Sequence, residues 1–565
     1  MRRVRNLLFP MTRRAREIGL TVICGIAGCF AALAFDDVIQ FLHRLIWLPL
    51  ERGGPWMFAL GGLGVLLAVG LVTGWMLSVW APEAAGSGIP QLKVAYWRDM
   101  GRIGGRGVWV KFLAGTLSIG GGMSLGREGP TVYLASGLAS LIGQRLGAIN
   151  LQGRAVAACG AAAGLAAAFN TPIAGVTFVL EEILENLNSR LLGRILLASF
   201  VSVFVLYLAR GEKAVLALPN SLHFDWKAYL LVPPVAAFAA LAGVAFQNAT
   251  LGWRQRIRKH SKIPLPFRPV AGALITWAAA SLAFAATGRS GVLGLGYEDL
   301  NACLAGSLGL ATVAALLLGK WIATTASYAW GGCGGIFAPT LFLGAFAGAL
   351  LAGVTHLFFD LPPATASLLA VTGMSACLGA VVRAPATSIL IVFEMTHDFA
   401  LVLPLMLGAL VSQFISRQLC RENFYAQVIE DDGVELGAHR AIETFSDWKA
   451  RKIAALATFP AFSLPNDDPI KAAEILGSTR YSAFPVVDAE GRLLGIASRE
   501  NWSIPFEPSH EAQTLALDAT LEEAERKLVD APLGLLVVTD SAGRPLGVFT
   551  LHDLLRCQLA LMDAQ

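Results

Sequence analysis

The sequence predicts an all-α, multi-pass membrane domain with internal duplication and broken helices, followed by a small soluble α+β pair. Three observations carry that expectation. Composition changes sharply near residue 430, the apolar segments are short and interrupted, and each part of the chain repeats itself.

Over 565 residues, hydrophobic residues make up 55% and charged residues 15%, against about 25% charged in soluble domains. From about residue 18 to 416 one apolar run follows another, whereas 430–565 reads as ordinary soluble sequence. The expected organisation is a basic N-terminus over 1–17 and a membrane domain over 18–428, its halves about 18–210 and 226–425. A linker over 429–452 then leads to a soluble pair over 453–565, its members about 453–505 and 506–560. The net charge of +4 says little by itself; its placement says more. Arg2, Arg3, Arg5, Arg13, Arg14 and Arg16 precede the first apolar run, and Arg254, Arg256, Arg258, Lys259 and Lys262 share a mid-chain loop. The positive-inside rule puts both on the cytoplasmic side. A signal or transit peptide would also begin with arginines, but a dozen further apolar segments argue against a cleaved leader. The cysteines (24, 29, 159, 303, 333, 377, 420 and 557) mostly lie inside apolar segments, with no CxxC pair and no His/Cys ligand spacing. They read as small core residues, and no metal site is expected.

Helix candidates fall at about 18–36, 57–80, 108–124, 131–147, 153–169, 172–186, 192–209, 227–251, 267–286, 308–328, 335–358, 364–382, 385–396 and 400–416. Several are shorter than the ~20 residues that cross a bilayer, and many are broken by Gly or Pro in a chain with 59 glycines. Interrupted segments of this kind mark helices that end at mid-depth. Irregular backbone there must be buried in protein or line a wet cavity.

The membrane region repeats. Lys320 lies 209 positions after Lys111, as do Pro339 after Pro130 and Thr340 after Thr131. These pairs frame GGGMSLGREGPT at 120–131 and GGCGGIFAPT at 331–340. Pro385 and Glu394 each lie 213 positions after Pro172 and Glu181, anchoring NTPIAGVTFVLEE at 170–182 and RAPATSILIVFEM at 383–395. A duplicated membrane half is a transporter hallmark, with the substrate near midplane where the halves meet. Whether the halves are inverted is not legible in these offsets. The tail repeats too: VVDAEGRLLGIASREN at 486–501 matches VVTDSAGRPLGVFTLHD at 537–553, with Gly495 to Gly547 and Ser498 to Thr550 both 52 apart. Each copy has a charged amphipathic helix (about 468–477 and 519–530), a Val-rich strand, a Gly turn and a second strand.

The chemistry follows from three Gly-rich turns that open helices: Gly86-Ser87-Gly88-Ile89-Pro90, Gly126-Arg127-Glu128-Gly129-Pro130 and Gly335-Ile336-Phe337-Ala338-Pro339. An anion in hydrocarbon needs compensation, but a full buried cation would trap it. Helix N-termini offer unpaired N–H groups and about half a positive charge, glycine lets backbone approach closely, and proline suits a first helical turn. One such turn means only a tight bend. Three, two of them in repeat register, point to an anion site.

GSGIP, GREGP and GGIFAP in this order, followed by a tyrosine past the last apolar run, resemble the CLC family of chloride channels and proton-coupled chloride transporters over about residues 18–430. The resemblance implies an inverted-type duplication and a homodimer with one pathway per subunit. It assigns the Ser87 hydroxyl and the Ile336 and Phe337 amides to a central chloride, and a proline in place of Ser87 would mark nitrate preference. Tyr425, in ENFYAQVI, would close the inner side; otherwise it is an interfacial anchor. Glu128 becomes a gate that mimics the anion and leaves when protonated, with Arg127 and Gly129 backbone groups lining the outer site. An ionisable residue inside a membrane is a functional hypothesis by default. Pairing of Glu128 with neighbouring Arg127 is the bland reading, and adjacent helix residues do not face each other. Glu181 and Glu182 could be solvated helix-end charges. By resemblance Glu181 and its repeat partner Glu394 are structural, whereas Glu182 transfers protons, as in family exchangers. Two carboxylates buried side by side would keep one proton between them. Gln91 replaces a glutamate common in relatives, which touches the inner vestibule and leaves ion identity alone. Fluoride exporters of the family lack the GSGIP serine and the tyrosine.

The tail resembles a pair of CBS domains, which often bind adenine nucleotides. The stretch from Gly547 to Asp553 would hold ribose through Thr550 and Asp553, whereas Asn501 stands in that place in the first copy; a packing module without ligand is equally open. No cofactor is required for transport.

The expected function is proton-coupled chloride antiport in a cell membrane, a bacterial inner membrane, with both termini cytoplasmic; the alternative is a passive chloride channel of the same fold. The partners are chloride, protons and lipid, with no nucleic acid and no enzymatic reaction. An intramembrane metalloprotease would need His-Glu-x-x-His in a membrane helix, and none of the eight histidines is expected in one. A divalent-cation transporter would want a path lined by acids, which are scarce here.

Overall fold

A computed structural model describes residues 13–148, 151–212, 215–216, 218, 226–434, 436, 452–479, 481–499 and 508–555. The chain forms two compact units, Met1–Glu435 and Leu436–Gln565. Half of the N-terminal arginines, most of the expected linker and Asn501 lie outside the described residues.

The first unit is helical throughout. Its first half contains α1 (Arg13–Arg52), α2 (Gly54–Val79), α3 (Ile89–Trp97), α4 (Gly105–Gly120), α5 (Glu128–Arg145), α6 (Leu151–Phe169), α7 (Pro172–Phe178) and α8 (Leu192–Arg210). The second half contains α9 (Ala228–His260), α10 (Arg268–Thr287), α11 (Tyr297–Leu304), α12 (Leu310–Ala329), α13 (Phe337–His356), α14 (Pro363–Val382), α15 (Pro385–Thr396), α16 (Val402–Leu419) and α17 (Phe424–Asp431). Among the described residues, nine helical stretches are long and apolar enough to cross a membrane. Four others (α3, α7, α11 and α15) run 7 to 12 residues, too short to span, and α17 is a short helix of 8 residues at the end of the last stretch. These are the broken elements.

The Gly86–Pro90 turn opens α3 as expected, whereas two other short helices were not expected from the sequence. At eight residues each, α11 and α17 are too brief for a periodic apolar signal to emerge. Helix α1 runs well past residue 36, where Asp36, Asp37 and Gln40 end the apolar run but not the helix. Asp36 accepts from the Arg127 and Arg210 guanidiniums and from the Gln40 amide, so its charge is answered inside the protein. One expectation is corrected: His43 lies within a helix long enough to span, and His260 and His356 end two others, although no His-Glu-x-x-His accompanies any of them. The run at 172–186 is also divided, since α7 passes into a π-helical turn over Val179–Ile183.

The halves of the duplication meet through bonds between equivalent residues. Gly126 and Gly335, which are 209 apart, exchange both backbone hydrogen bonds at 2.7 Å in an antiparallel bridge. Glu394, at the C-terminal end of α15, accepts from the Ile173 and Ala174 amides (2.9 and 2.7 Å) that open α7. Glu181, which follows α7, accepts from the Ala386 and Thr387 amides (3.1 and 2.8 Å) that open α15. Each carboxylate thus caps the other half's helix, satisfying amides that have no helical acceptor. Mutual pairing of this kind relates the halves by a pseudo-two-fold axis, the relation that an inverted repeat has. The duplication is inverted.

Two buried lysines repeat the same device. Lys111 Nζ donates to the Ala84 and Gly86 carbonyls at 2.7 and 2.8 Å, holding the turn before α3. Lys320 Nζ donates to Gly291 and Gly294 at 3.0 and 2.7 Å, holding the turn before α11. Both turns end in a glycine with positive φ, Gly88 (96°) and Gly296 (74°), where a Cβ would be strained.

The second unit holds two three-stranded sheets, β1-β2-β3 (Leu464–Pro465, Ala483–Val487, Leu493–Ser498) and β4-β5-β6 (Thr514–Ala516, Leu535–Thr539, Pro545–Thr550). In each, the first pair is parallel and the second antiparallel, with Val486 opposite Gly495 and Val538 opposite Gly547. The amphipathic helices are α18 (Pro469–Ser478) and α19 (Leu521–Val529), capped by Asp468 and Thr520. The α+β pair matches the reading of the repeat.

Replacing Glu394 by Ala removes two charge-assisted bonds from the start of α7 and should lower stability by about 2–4 kcal/mol. Thermal unfolding in detergent measures it, with Glu394→Gln falling between; an unchanged midpoint would show that the caps are ornamental.

Candidate functional site

The three Gly-rich turns lie at helix starts and come together. The first helical bonds of α3, α5 and α13 are donated by Leu92, Thr131 and Thr340, each at 2.9 Å. The amides before them, those of Glu128, Gly129, Phe337 and Ala338 included, therefore have no acceptor within their helices, and the intervening prolines carry no N–H. Backbone bonds tie the turns to one another: Gly86 N–H to the Gly332 carbonyl at 3.0 Å, Gly334 N–H to Gly86 at 3.1 Å, and the Gly126–Gly335 bridge. Two glycines allow the closeness. A Cβ on Gly129 would lie 2.2 Å from Ser87 Oγ, and one on Gly126 would lie 2.6 Å from Glu128 Oε2 and 3.1 Å from the Ala338 amide nitrogen.

Glu128, the first residue of α5, is fully buried. Its Oε2 accepts from the Ala338 amide at 3.3 Å, across the junction at the start of α13. Its Oε1 accepts from the Tyr297 hydroxyl at 2.8 Å. The carboxylate thus rests where bare helix-start amides would receive an anion. Arg127 turns away from it: the guanidinium pairs with Asp36, donates to the Ala168 carbonyl at 3.0 Å and lies over the Tyr297 ring. The adjacent-pair reading of Glu128 and Arg127 does not apply.

On the other side of Gly129 stand Ser87 and Tyr425. Both hydroxyls are buried as near neighbours of each other, and neither makes a hydrogen bond of normal length and angle among the described residues. Two orphan hydroxyls in one place are rare in a packed interior and call for a ligand or water. Ile336 caps α13 and Phe337 begins it, fully buried against Phe169 and Phe178 with centroids at 5.5 and 6.0 Å. Tyr425 sits inside the first turn of α17, buried in protein; the interfacial-anchor reading fails.

Glu182 lies deeper in the chain's fold than a helix-end charge would. It is buried on the π turn, accepting from Lys93 Nζ at 2.7 Å and from the Asn423 amide at 2.9 Å. Glu185 shares the same ammonium at 2.8 Å and is partly exposed. This corrects the expectation of Glu181 and Glu182 as a carboxylate pair. The π turn sends Glu181 to the start of α15, so the charge beside Glu182 is a cation. Lys93 was missed because one lysine inside a nine-residue helix carries no pattern, and Asn423 because its partner lies 241 positions away.

Two cavities flank the cluster. One of about 530 Å³ is lined by Arg127 and Tyr297 with His43, Glu51, Arg289 and Glu298. Another of about 330 Å³ is lined by Gly86, Gln91 and Tyr328 with Arg254, Arg258 and Asp432. Tyr297 was also missed, although a signal existed: it follows Gly296 as Ile89 follows Gly88, 208 positions earlier, and each turn has its repeat-related lysine.

In the second unit, Thr550 and Asp553 bond each other. Asp553 Oδ2 accepts from the Thr550 amide and hydroxyl at 2.9 and 2.8 Å, and Oδ1 accepts from the Thr458 hydroxyl at 3.1 Å. Three of about four acceptor positions on the carboxylate are filled. The remaining position is the one a ribose hydroxyl would use.

Inverted halves with helix starts gathered on one buried cleft, two orphan hydroxyls and a competing carboxylate define a membrane transporter of small anions. Comparison with known proteins agrees. Residues 69–417 match the family described as voltage gated chloride channel, and 460–501 and 504–560 match the CBS domain. A relative named as a ClcB-like chloride channel protein from Ralstonia nicotianae is 32% identical, covering 74% of this chain and 99% of its own. The H(+)/Cl(-) exchange transporter ClcA of Vibrio vulnificus is 30% identical over 72% of this chain and 87% of its own. A eukaryotic CLC transporter shares the fold with a TM-score of 0.63 at 19% identity, covering 95% of this chain and 98% of that one. The chain belongs to the CLC family of chloride channels and transporters, in a form that carries a CBS pair.

Gly129→Ala should push Ser87 out of place. Overpacking of about 1–3 kcal/mol predicts chloride binding weakened roughly tenfold by calorimetry, and an unaltered Kd would mean that Ser87 does not touch the ion.

Proposed function

We propose that the protein exchanges chloride for protons across a bacterial inner membrane, with Glu128 as the gate that both substrates share. The observation that carries this reading is the Glu128 carboxylate held on the Ala338 amide, next to two buried hydroxyls without partners. In the proposed cycle chloride rests between the hydroxyls of Ser87 and Tyr425 and the amides of Ile336 and Phe337, with Arg127 and Gly129 backbone groups on its outer side. A second chloride displaces the Glu128 carboxylate, which leaves by taking a proton, so anion entry and proton uptake occur at one group. Glu182 passes protons on the inner side, and Asn423 and Lys93 hold it between the helices that carry Tyr425 and Ser87.

A second reading, a passive chloride channel of the same fold, is favoured by one observation: the buried ion pair of Glu182 with Lys93 could be structural only. The two separate in liposomes with chloride and pH recorded together. Glu128→Gln is expected to abolish proton movement while chloride still flows. Glu182→Gln should reduce proton flux at least about tenfold and leave chloride binding within a factor of two. Chloride flux with no proton countermovement in the unmodified protein selects the channel.

The reading extends to context. Arg13, Arg14, Arg16 and the arginines ending α9 favour cytoplasmic termini, and the family suggests a homodimer with one pathway per subunit. The CBS pair supplies regulation, with an adenine nucleotide held at Thr550 and Asp553. Asp553→Ala in the full chain should lose nucleotide binding measured by calorimetry. If the unmodified protein binds none, the pair is a packing module.

A further inference from the structure

We infer that Tyr297 is the outer latch of the gate: a positioning residue whose hydroxyl holds the Glu128 carboxylate in the anion's place and sets how readily chloride displaces it. The inference rests on the reading of Glu128 as gate. Tyr297 is the first residue of α11, after Gly296 at φ 74°, and Lys320 pins the turn that precedes it. Its hydroxyl reaches across the molecule to Glu128 Oε1 at 2.8 Å, from 169 positions further along the chain. Arg127 lies over the ring at 5.7 Å, so the phenol is fixed from behind by the residue adjoining the gate. The same tyrosine lines the cavity of about 530 Å³, leaving it between that open space and the carboxylate.

Competition supplies the chemistry. The carboxylate and an incoming chloride want the same donors, and the winner is decided by the bonds each makes. Ala338 N–H can serve either of them. The Tyr297 hydroxyl is committed to the carboxylate, so it favours the closed gate selectively. A hydrogen bond to a charged group contributes about 1.5–3 kcal/mol, equal to roughly ten- to a hundredfold in an equilibrium constant. The pseudo-symmetry gives the position a meaning as well. Ile89 and Tyr297 occupy equivalent helix starts, one beside the central hydroxyl Ser87 and the other beside the gate.

The test is a double-mutant cycle on the purified full chain, with chloride as the titrant in calorimetry. Tyr297→Phe keeps the ring on Arg127 and removes one oxygen; chloride should bind about tenfold tighter than to the unmodified protein. In a Glu128→Gln background the same change should move the Kd less than twofold, because no carboxylate remains to be latched. An unchanged Kd for Tyr297→Phe, or an equal gain in both backgrounds, would overturn the latch. If Glu128→Gln alone fails to tighten binding, the gate reading falls; if it tightens binding and Tyr297→Phe is silent, only the latch falls. Should the phenylalanine variant fail to purify as a single species, Tyr297→Met carries the same cycle.

Discussion

Everything in the membrane unit depends on backbone amides that have no acceptor of their own. A helix that starts inside a protein surrounded by lipid presents several bare N–H groups, and no water of the bilayer core can answer them. The chain resolves the problem in two ways. At α7 and α15 the bare amides are capped by Glu394 and Glu181, each from the opposite half. At α5 and α13 most are left open and turned towards one cleft, with Glu128 alone reaching across. The first pair makes structure. The second makes a site, and the difference between them is whether the carboxylate that answers the amides is locked or exchangeable.

The inverted repeat explains how both solutions coexist. Equivalent residues pair about one pseudo-two-fold axis, so a single short bridge between Gly126 and Gly335 brings two helix starts together without any side chain between them. Lysines at 111 and 320 then fix the neighbouring turns, each ammonium sheltered by carbonyls and kept out of the anion's way. This matters for turnover. A buried ammonium facing chloride would hold it too well, whereas amide dipoles bind and release. These two ammoniums serve the backbone, and the backbone serves the ion.

Much of this was legible in the sequence because glycine and proline leave a readable trace. Glu128 and Phe337 stand in turns whose spacing repeats and Ser87 stands in a third of the same kind, and the structure gathers all three as the pattern suggested. Glu181 and Glu394 were readable as a structural pair from their common offset. What escaped were residues whose importance exists only in three dimensions. Lys93 and Asn423 meet Glu182 from different helices, and no local pattern marks either. The pairing of Glu181 with Glu182 was misjudged because neighbours in sequence diverge on a π turn. Tyr297 lay within reach: the repeat that revealed Lys320 also aligns Gly296 with Gly88. It was passed over because eight residues of mixed polarity do not announce a helix.

The inner side shows what couples the parts. Glu182 accepts from Lys93 on α3, the helix opened by Ser87 and Gly88, and from Asn423, whose own oxygen caps α17 by accepting the Ala426 amide at 2.8 Å. The helices carrying the two orphan hydroxyls are therefore tied to one carboxylate, and any change in its charge is felt by both. Neutralising Glu182 leaves Lys93 with Glu185, and Asn423 with the Val382 carbonyl at 3.0 Å. Neither helix is then left without a partner, while the bonds both make to Glu182 weaken with its charge. A proton arriving at Glu182 would thus loosen the link between Ser87 and Tyr425 without unfolding what carries them, which is the mechanical requirement for exchanging one ion against the other.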